Sequence, residues 1–80
     1  MSLRLRIVSP EKVIFDGDVE SVTVPGTLGE FQILHDHAPL ISSLGDGRLV
    51  YVDGNGEHDL TISGGFVEVQ KNMVSACVEF

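Results

Sequence analysis

Three histidines are the residues of this sequence whose types and spacing could carry out chemistry. His35 and His37 flank Asp36, and His58 follows later in the chain. In an extended strand alternate side chains point to the same face, so His35 and His37 would lie side by side. Imidazole nitrogen is a common ligand of zinc and other transition metals. With His58 as a third ligand, the set predicts one alternative for this protein, a small metal-dependent β-barrel enzyme.

The surroundings of these histidines favour a plainer interpretation. Pro39 lies two residues after His37, and no spaced cluster of further metal ligands accompanies the pair. Two ligands on one strand leave the coordination of a zinc ion incomplete, because zinc sites use three or four protein ligands. We therefore expect His35 and His37 to be ordinary surface histidines and the protein to hold no metal.

The other reactive side chains do not form a catalytic motif. Cys77 lies in an alternating, strand-like segment without a basic neighbour that would activate its thiol. Gly64-Gly65 is not followed by the Gly-Lys-Ser/Thr end of a phosphate-binding loop. Asp16 and Asp18 flank a glycine, which predicts that both carboxylates are solvated. We expect no catalytic residue and no cofactor.

Length and composition describe a small acidic domain. The chain has 80 residues, 42% of them hydrophobic, and five basic against twelve acidic residues give a formal net charge of −7. Nucleic-acid binding and docking to an anionic membrane both need a basic surface, so both are disfavoured. A single cysteine fits a reducing compartment, and no apolar run approaches the ~20 residues that span a bilayer. We expect a soluble, cytoplasmic protein with one domain over residues 1–80.

Alternation of apolar and other residues dominates both ends of the chain. A period of two predicts half-buried strands, and the run Asp53-Gly54-Asn55-Gly56 predicts a tight hairpin. No window shows the spacing of an amphipathic helix. Many short strands with frequent turns predict an all-β sandwich of eight to ten strands. The alternating residues expected on buried faces are Leu3, Leu5, Ile7, Val74, Ala76, Val78 and Phe80.

The stretch from Pro25 to Leu44 stands apart from the repetitive strands around it. Pro25-Gly26 predicts a turn at its start, and Pro39 disfavours helix at the preceding residue and removes a backbone donor. Gly29-Glu30 predicts a flexible corner that carries one carboxylate. We expect an irregular, extended excursion. Because irregular segments on a rigid scaffold often carry binding groups, Glu30 is a candidate contact residue.

Four smaller features complete the expected pattern of strands. Asp16-Gly17 is expected to end a short strand piece, and Lys71-Asn72 to form a turn. The alternation slips between Val19 and Val22, which predicts a bulge. Gly64-Gly65 predicts either a bulge or a close approach of two backbones.

Three blocks of the chain, in order, resemble one known family. They are LRIVSPEKVIFDGDVESVTVPG near the start, GEFQILHDHAPLISSL in the middle and SGGFVEVQKNMVSACVE near the end. Together they cover nearly the whole chain, and they resemble the N-terminal β domain of the epsilon subunit of bacterial F-type ATP synthase. The resemblance implies a flattened β-sandwich and a subunit without catalytic activity.

The resemblance also implies partners and a location. Such a domain belongs to the rotor, beside the gamma subunit and against the polar loops of the membrane c-ring, and helps to couple proton translocation to ATP synthesis on other subunits. It would be peripheral, at the cytoplasmic face of the bacterial inner membrane, with no inserted segment, nucleic acid or small-molecule substrate. By position in the shared pattern, Glu30 would face the c-ring. Three residues would face gamma: Ser9, His37 and Ser42.

The chain departs from the family pattern at its end. Members continue into two C-terminal helices that inhibit ATP hydrolysis and, in some, bind ATP, whereas this chain ends at Phe80. We expect neither helical inhibition nor ATP binding, whether the chain is naturally short or trimmed. Two alternatives stay open. One is a cupin-like metal-dependent β-barrel enzyme that uses His35, His37 and His58, and the other is a β-sandwich adaptor for an unrelated partner.

Overall fold

The computed structural model describes residues 3–80, and this part of the chain consists of nine strands with short connections. The strands are β1 (Leu3–Val8), β2 (Val13–Val19), β3 (Ser21–Gly26), β4 (Gly29–Ile33), β5 (Leu40–Leu44), β6 (Gly47–Asp53), β7 (Gly56–Ile62), β8 (Gly64–Gln70) and β9 (Met73–Glu79). The predicted all-β class and strand number are confirmed. Met1 and Ser2, the first residues of the expected 1–80 domain, lie outside the described range.

The nine strands form one sheet that curls over into two layers. The first layer has the order β2-β1-β9-β8-β5, and the second contains β3, β6 and β7, with β4 paired to β3. A single pair, Gly26 with Leu44, links β3 to β5 and so joins the layers. The β1–β9 pair is parallel, and the other pairs are antiparallel. With extents of 30 × 24 × 19 Å, the domain is a flattened sandwich.

The core is built from one face of each layer. The alternation of β1 and β9 predicted this arrangement, because their inward residues are all buried. Phe80 does not share that face, since it follows the end of β9 and is 66% exposed. The buried residues are Leu3, Leu5, Ile7, Val19, Val22, Val24, Ile33, Leu44, Leu49, Ile62, Val67, Val69, Val74, Ala76 and Val78.

Strand β2 runs straight through the expected turn at Asp16-Gly17, so that prediction was wrong. Gly17 pairs with Leu5 of β1 in the middle of the ladder. A Cβ atom at Gly17 would lie 3.1 Å from Cζ of Phe15, so the missing side chain makes room for the Phe15 ring. The glycine therefore serves packing of an aromatic ring, which its sequence neighbourhood does not reveal.

The expected bulge at residues 19–22 was also wrong. The slip in alternation arises because β2 ends at Val19 and β3 begins at Ser21, with Glu20 between them. Glu20 is held by its backbone N–H, which donates to the Val52 carbonyl at 2.7 Å. A register shift occurs elsewhere, between Ile7 and Val8 in the pairing of β1 with β2.

Three of the predicted turn features are confirmed. The 53–56 run joins β6 to β7, with Gly56 at a φ of 112°. Lys71 and Asn72 join β8 to β9 with φ values of 53° and 61°. A side chain at Gly65, whose φ is 135°, would overlap the backbone carbonyl of Cys77, so the two backbones do approach closely there.

The Pro25–Leu44 stretch is more regular than the sequence suggested. Pro25 and Gly26 belong to β3, and the turn lies two residues later, at Thr27-Leu28. The residues after this turn form β4 and later β5, so, apart from the turn, only residues 34–39 between these two strands are irregular. The expectation of a single long excursion was therefore wrong, because β4, β5 and the end of β3 take up most of the stretch.

Candidate interaction site

The β3–β4 hairpin presents the acidic residue that the sequence singled out. Glu30 pairs with Pro25 in the ladder, one residue after Gly29, whose φ is 137°. Its side chain is exposed, and Leu28, at the tip of the turn, is fully exposed as well. Both residues project from a β-hairpin and not from the flexible corner that was expected.

Contacts to β5 hold this hairpin in place. The Thr27 N–H donates to the Ser43 carbonyl at 3.1 Å, and the two side-chain hydroxyls lie 2.9 Å apart. The Gly45 N–H donates to the Pro25 carbonyl at 2.8 Å. A Cβ atom at Gly26 would lie 2.9 Å from Cε1 of Phe31, so the glycine allows the ring to pack under the turn. The tip is thus presented on a rigid base.

The irregular segment 34–39 carries His37. Its backbone N–H donates to the Leu34 carbonyl at 3.1 Å, which closes a turn with Asp36 at a φ of 64°. The ring Nδ1 lies 2.7 Å from the Ala38 carbonyl and must donate to it, because a carbonyl only accepts. Nε2 of the neutral His37 ring is therefore an acceptor that a partner's donor could meet.

Asn72 fastens this segment to the β8–β9 turn. The Asp36 N–H donates to Oδ1 of Asn72 at 2.7 Å, and Nδ2 of Asn72 lies 3.2 Å from Oδ1 of Asp36 and 3.3 Å from Nε2 of His35. Nδ1 of His35 lies 3.2 Å from Oδ2 of Asp36. Sequence reasoning saw Asn72 only as a turn residue, and nothing near it in sequence points to a contact 36 residues away.

Ser9 and Ser42 lie at different places on the first layer. Ser9 follows β1, where its N–H donates to the Lys12 carbonyl at 2.9 Å. Ser42 is half-buried on β5 and pairs with Val67. β5 spans about 15 Å and separates His37 from the end of the layer at which Ser9 lies, so the three residues do not form one cluster. Ser42 shares the inward face of β5 with Leu40 and Leu44, because alternate residues of a strand point to the same face.

The outer face of the first layer carries an apolar row that the sequence analysis missed. Ser43 pairs with Phe66, Phe66 with Cys77, and Cys77 with Val8, so these residues line up across four strands. Phe66 is 50% exposed. A cleft of about 500 Å³ lies at this row and is bordered by Ser9. Outward-facing sheet positions are usually polar, so the apolar row is a candidate interaction surface.

The third histidine belongs to a separate cluster. Nε2 of His58 lies 2.9 Å from Oδ1 of Asp53, and its ring stacks on Tyr51 at 5.1 Å. The hydrogen bond from His58, then that from the Asn55 N–H, lowers the pKa of Asp53. Burial, and then the charge of Asp53, raises the pKa of Tyr51.

The metal-enzyme alternative gains no support from this arrangement. His35 contacts Asn72, whereas His58 contacts Asp53. Residues 3–80 contain no group of three or more histidine, cysteine or carboxylate side chains that could hold a metal ion.

Across the same range, no helix has the length and apolar character needed to cross a bilayer. The structure thus describes a β-sandwich that exposes both polar and apolar side chains.

Comparison with known proteins identifies the family. Residues 2–80 match the family described as ATP synthase, Delta/Epsilon chain, beta-sandwich domain, and the chain belongs to it. It is 44% identical over 73 residues to the ATP synthase epsilon chain of Leptospira borgpetersenii, covering 91% of this chain and 58% of that one. It is 47% identical over 79 residues to the ATP synthase epsilon chain of Xanthomonas oryzae, covering 98% of this chain and 56% of that one.

A solved structure shows the same fold. A chain in the Euglena gracilis mitochondrial ATP synthase structure (OSCP/F1/c-ring) superimposes with a TM-score of 0.90 at 24% sequence identity, and the match covers 96% of this chain and 50% of that chain. The 80-residue chain spans a little over half the length of the two bacterial epsilon chains that it matches. The family recognised from the sequence blocks is confirmed.

Proposed function

We propose that residues 1–80 are the N-terminal β-sandwich domain of an epsilon subunit in the central stalk of an F-type ATP synthase. The observation that carries this proposal is the family match over residues 2–80, together with 44–47% identity to bacterial epsilon chains. In this role the domain docks the gamma subunit to the c-ring and helps to couple proton translocation to ATP synthesis. It is a rotor part without catalytic activity of its own.

This role fixes a location for the domain. As part of the ATP synthase, it is peripheral at the cytoplasmic face of the bacterial inner membrane. The net charge of −7 suits contact with basic protein segments and disfavours direct binding to anionic lipid.

Ser9, His37 and Ser42 are proposed to face gamma. They lie along the first layer, with Ser9 beside the apolar cleft and His37 on the segment before β5. The apolar row of Phe66, Cys77 and Val8 lies on the outer face beside Ser9, whereas Ser42 lies on the inward face of β5. An interface with an apolar centre and a polar rim is the usual arrangement for a stable protein contact.

Glu30 is proposed to face the polar loops of the c-ring. It is exposed on a hairpin that β5 holds in place. A rim ion pair with a cationic loop contributes little, about 0–1 kcal/mol. Charge reversal has a larger effect, because like charges are then brought together at a contact built for attraction.

The test is assembly of the Glu30→Lys variant onto purified complexes of gamma and c-ring. We expect weaker assembly, most clearly at low salt where screening is least, and an unchanged affinity for isolated gamma. Glu57→Lys is the matched control, since Glu57 is also exposed but lies on β7. Normal assembly of Glu30→Lys at low salt would show that the hairpin does not face the ring. Failure of the unmodified chain to capture gamma in a pull-down would refute the stalk role itself.

A further inference from the structure

Asn72 occupies a position where the turn alone favours glycine. It is the second residue of the two-residue β8–β9 turn, with Lys71 and Asn72 both at positive φ. Turns of this geometry favour glycine at the second position, because glycine has no Cβ to strain there. An asparagine tolerates the geometry but brings a side chain that the turn itself does not need.

The hydrogen bonds around that side chain determine its orientation. The Asp36 N–H can only donate, so the atom that faces it at 2.7 Å must be the Asn72 carbonyl oxygen. The amide nitrogen then points to Oδ1 of Asp36 and to Nε2 of His35. Nε2 of His35 must accept, so the neutral ring carries its proton on Nδ1, which faces Oδ2 of Asp36.

The backbone of Asn72 also ties the turn to β1. The Arg4 N–H donates to the Asn72 carbonyl at 2.9 Å, at the start of β1. One residue therefore connects β1, the β8–β9 turn and the irregular 34–39 segment. The segment's own contacts are short-range: the His37 N–H donates to the Leu34 carbonyl, and the His37 and His35 rings contact the residues that follow them.

We propose that Asn72 is a positioning residue that holds the 34–39 segment in the conformation in which His37 meets gamma. This proposal rests on the stalk function proposed above. Asp36 has a positive φ, which costs some free energy even though aspartate tolerates this region better than most residues with a side chain. The bonds to Asn72 compensate for this, so the segment is ordered before gamma arrives. Binding loses less free energy to ordering of the segment when the segment is already in the bound conformation.

The first test compares Asn72→Gly with Lys71→Gly in the full chain, by titration with purified gamma. Both variants place glycine in the same turn, at residues with positive φ. We expect Asn72→Gly to raise the Kd for gamma about three- to tenfold, because the binding-competent fraction of the segment falls in proportion. Its melting temperature should be equal or higher, since glycine suits the turn. Lys71→Gly should leave the Kd unchanged.

A rescue experiment separates a specific bond from a general loosening of the fold. Asn72→Asp places a second carboxylate against Asp36, so it should weaken gamma binding. Adding Asp36→Asn restores a donor facing an acceptor and should recover most of the affinity. Nitrogen-15 spectra should also show the Nδ1–H tautomer for neutral His35 in the unmodified protein and a reduced preference for it in Asn72→Gly.

The outcomes distinguish this proposal from the stalk function on which it rests. Weaker binding by Asn72→Gly with recovery in the double variant supports the proposal. Unchanged binding by Asn72→Gly, while His37→Ala weakens it, overturns the positioning role and leaves the stalk function standing. If the unmodified chain does not bind gamma, both are overturned. A lowered melting temperature with no rescue would assign Asn72 to fold stability alone and also overturn the proposal.

Discussion

Two clusters in this domain are built around a histidine and an aspartate, and they differ in how far apart their partners lie in sequence. In the first, His58 and Asp53 are five residues apart, at the two sides of one hairpin. In the second, His35 and Asp36 meet Asn72, 37 and 36 residues away. The first cluster closes a hairpin on itself, whereas the second joins two separate connections of the fold.

The His58 cluster is continuous with the packing of the sandwich. His58 stacks on Tyr51, and the Tyr51 ring packs against Phe15 of β2 with centroids 4.5 Å apart. Asp53 also accepts a hydrogen bond from the Asn55 N–H at 2.8 Å. Changes here should therefore act mainly on the free energy of unfolding.

In the His35 cluster the aspartate is the exposed member, whereas the His35 side chain is 27% exposed, less than the 39% of His58. The Asp36 side chain is 75% exposed, and the segment adds no residue to the buried core. Changes here should act mainly on partner binding and much less on stability. We infer that the polar cluster within one hairpin stabilises the fold, whereas the cluster that bridges two connections holds the 34–39 segment in place for a partner.

The largest effect on stability should follow removal of the Tyr51 ring, which joins the His58 cluster to the rest of the sandwich. Tyr51→Ala should lower the free energy of unfolding by about 2–3 kcal/mol, somewhat less than for a fully buried aromatic residue, because the ring is only half-buried. Urea denaturation measures this directly. Tyr51→Phe is the matched control, since it keeps the stacked ring and should cost far less. A loss below about 1 kcal/mol for Tyr51→Ala would show that the stack contributes little.

Sequence reasoning predicted the fold well because its signals were local. Alternation placed the buried faces of β1 and β9, and the Asp-Gly-Asn-Gly run placed the β6–β7 hairpin. The prediction failed at Gly17, where the glycine makes room for the Phe15 ring inside a strand. A glycine in a turn and a glycine under an aromatic ring look alike in sequence, so only packing distinguishes them.

The candidate site was less predictable for the same reason. Glu30 and His37 were identified through a family resemblance, and their roles stay predictions. Asn72 was invisible, because its partners are reached only when β8, β9 and the 34–39 segment come together. A side-chain contact across 36 residues leaves no trace in local pattern or propensity.

An intermediate effect should follow neutralisation of Asp53. Its pKa is lowered in the folded protein, chiefly by the hydrogen bond from His58. A lowered folded pKa contributes stability above the ordinary aspartate pKa of about 3.9, and this contribution is lost as pH falls through the folded value. Asp53→Asn should therefore melt below the unmodified protein at pH 6, and the difference should shrink towards pH 3.

The control for this experiment lies in the other cluster. Asp36→Asn changes a carboxylate that is 75% exposed and adds nothing to the buried core, so it should lower the melting temperature at pH 6 less than Asp53→Asn does. If the two variants lower the melting temperature equally at pH 6, the distinction between a hairpin-closing aspartate and a surface aspartate does not hold.

The smallest effect, and an opposite one, should come from the turn that carries Asn72. Lys71 has a φ of 53°, a region that asparagine tolerates better than lysine because its short polar side chain bonds to nearby backbone. Lys71→Asn should raise the free energy of unfolding by about 0.5–1 kcal/mol, measured by urea denaturation. Lys71→Gln removes the same charge without the same backbone preference, and it should give no gain.

Gamma affinity should be unchanged in both Lys71 variants, whereas Asn72→Gly should bind more weakly without loss of stability. If Lys71→Asn and Lys71→Gln stabilise the domain equally, the gain comes from charge and not from backbone geometry. If instead Lys71→Asn weakens gamma binding, then Lys71 also affects the partner, and the assignment of Lys71 to hairpin stability and of Asn72 to gamma binding does not hold.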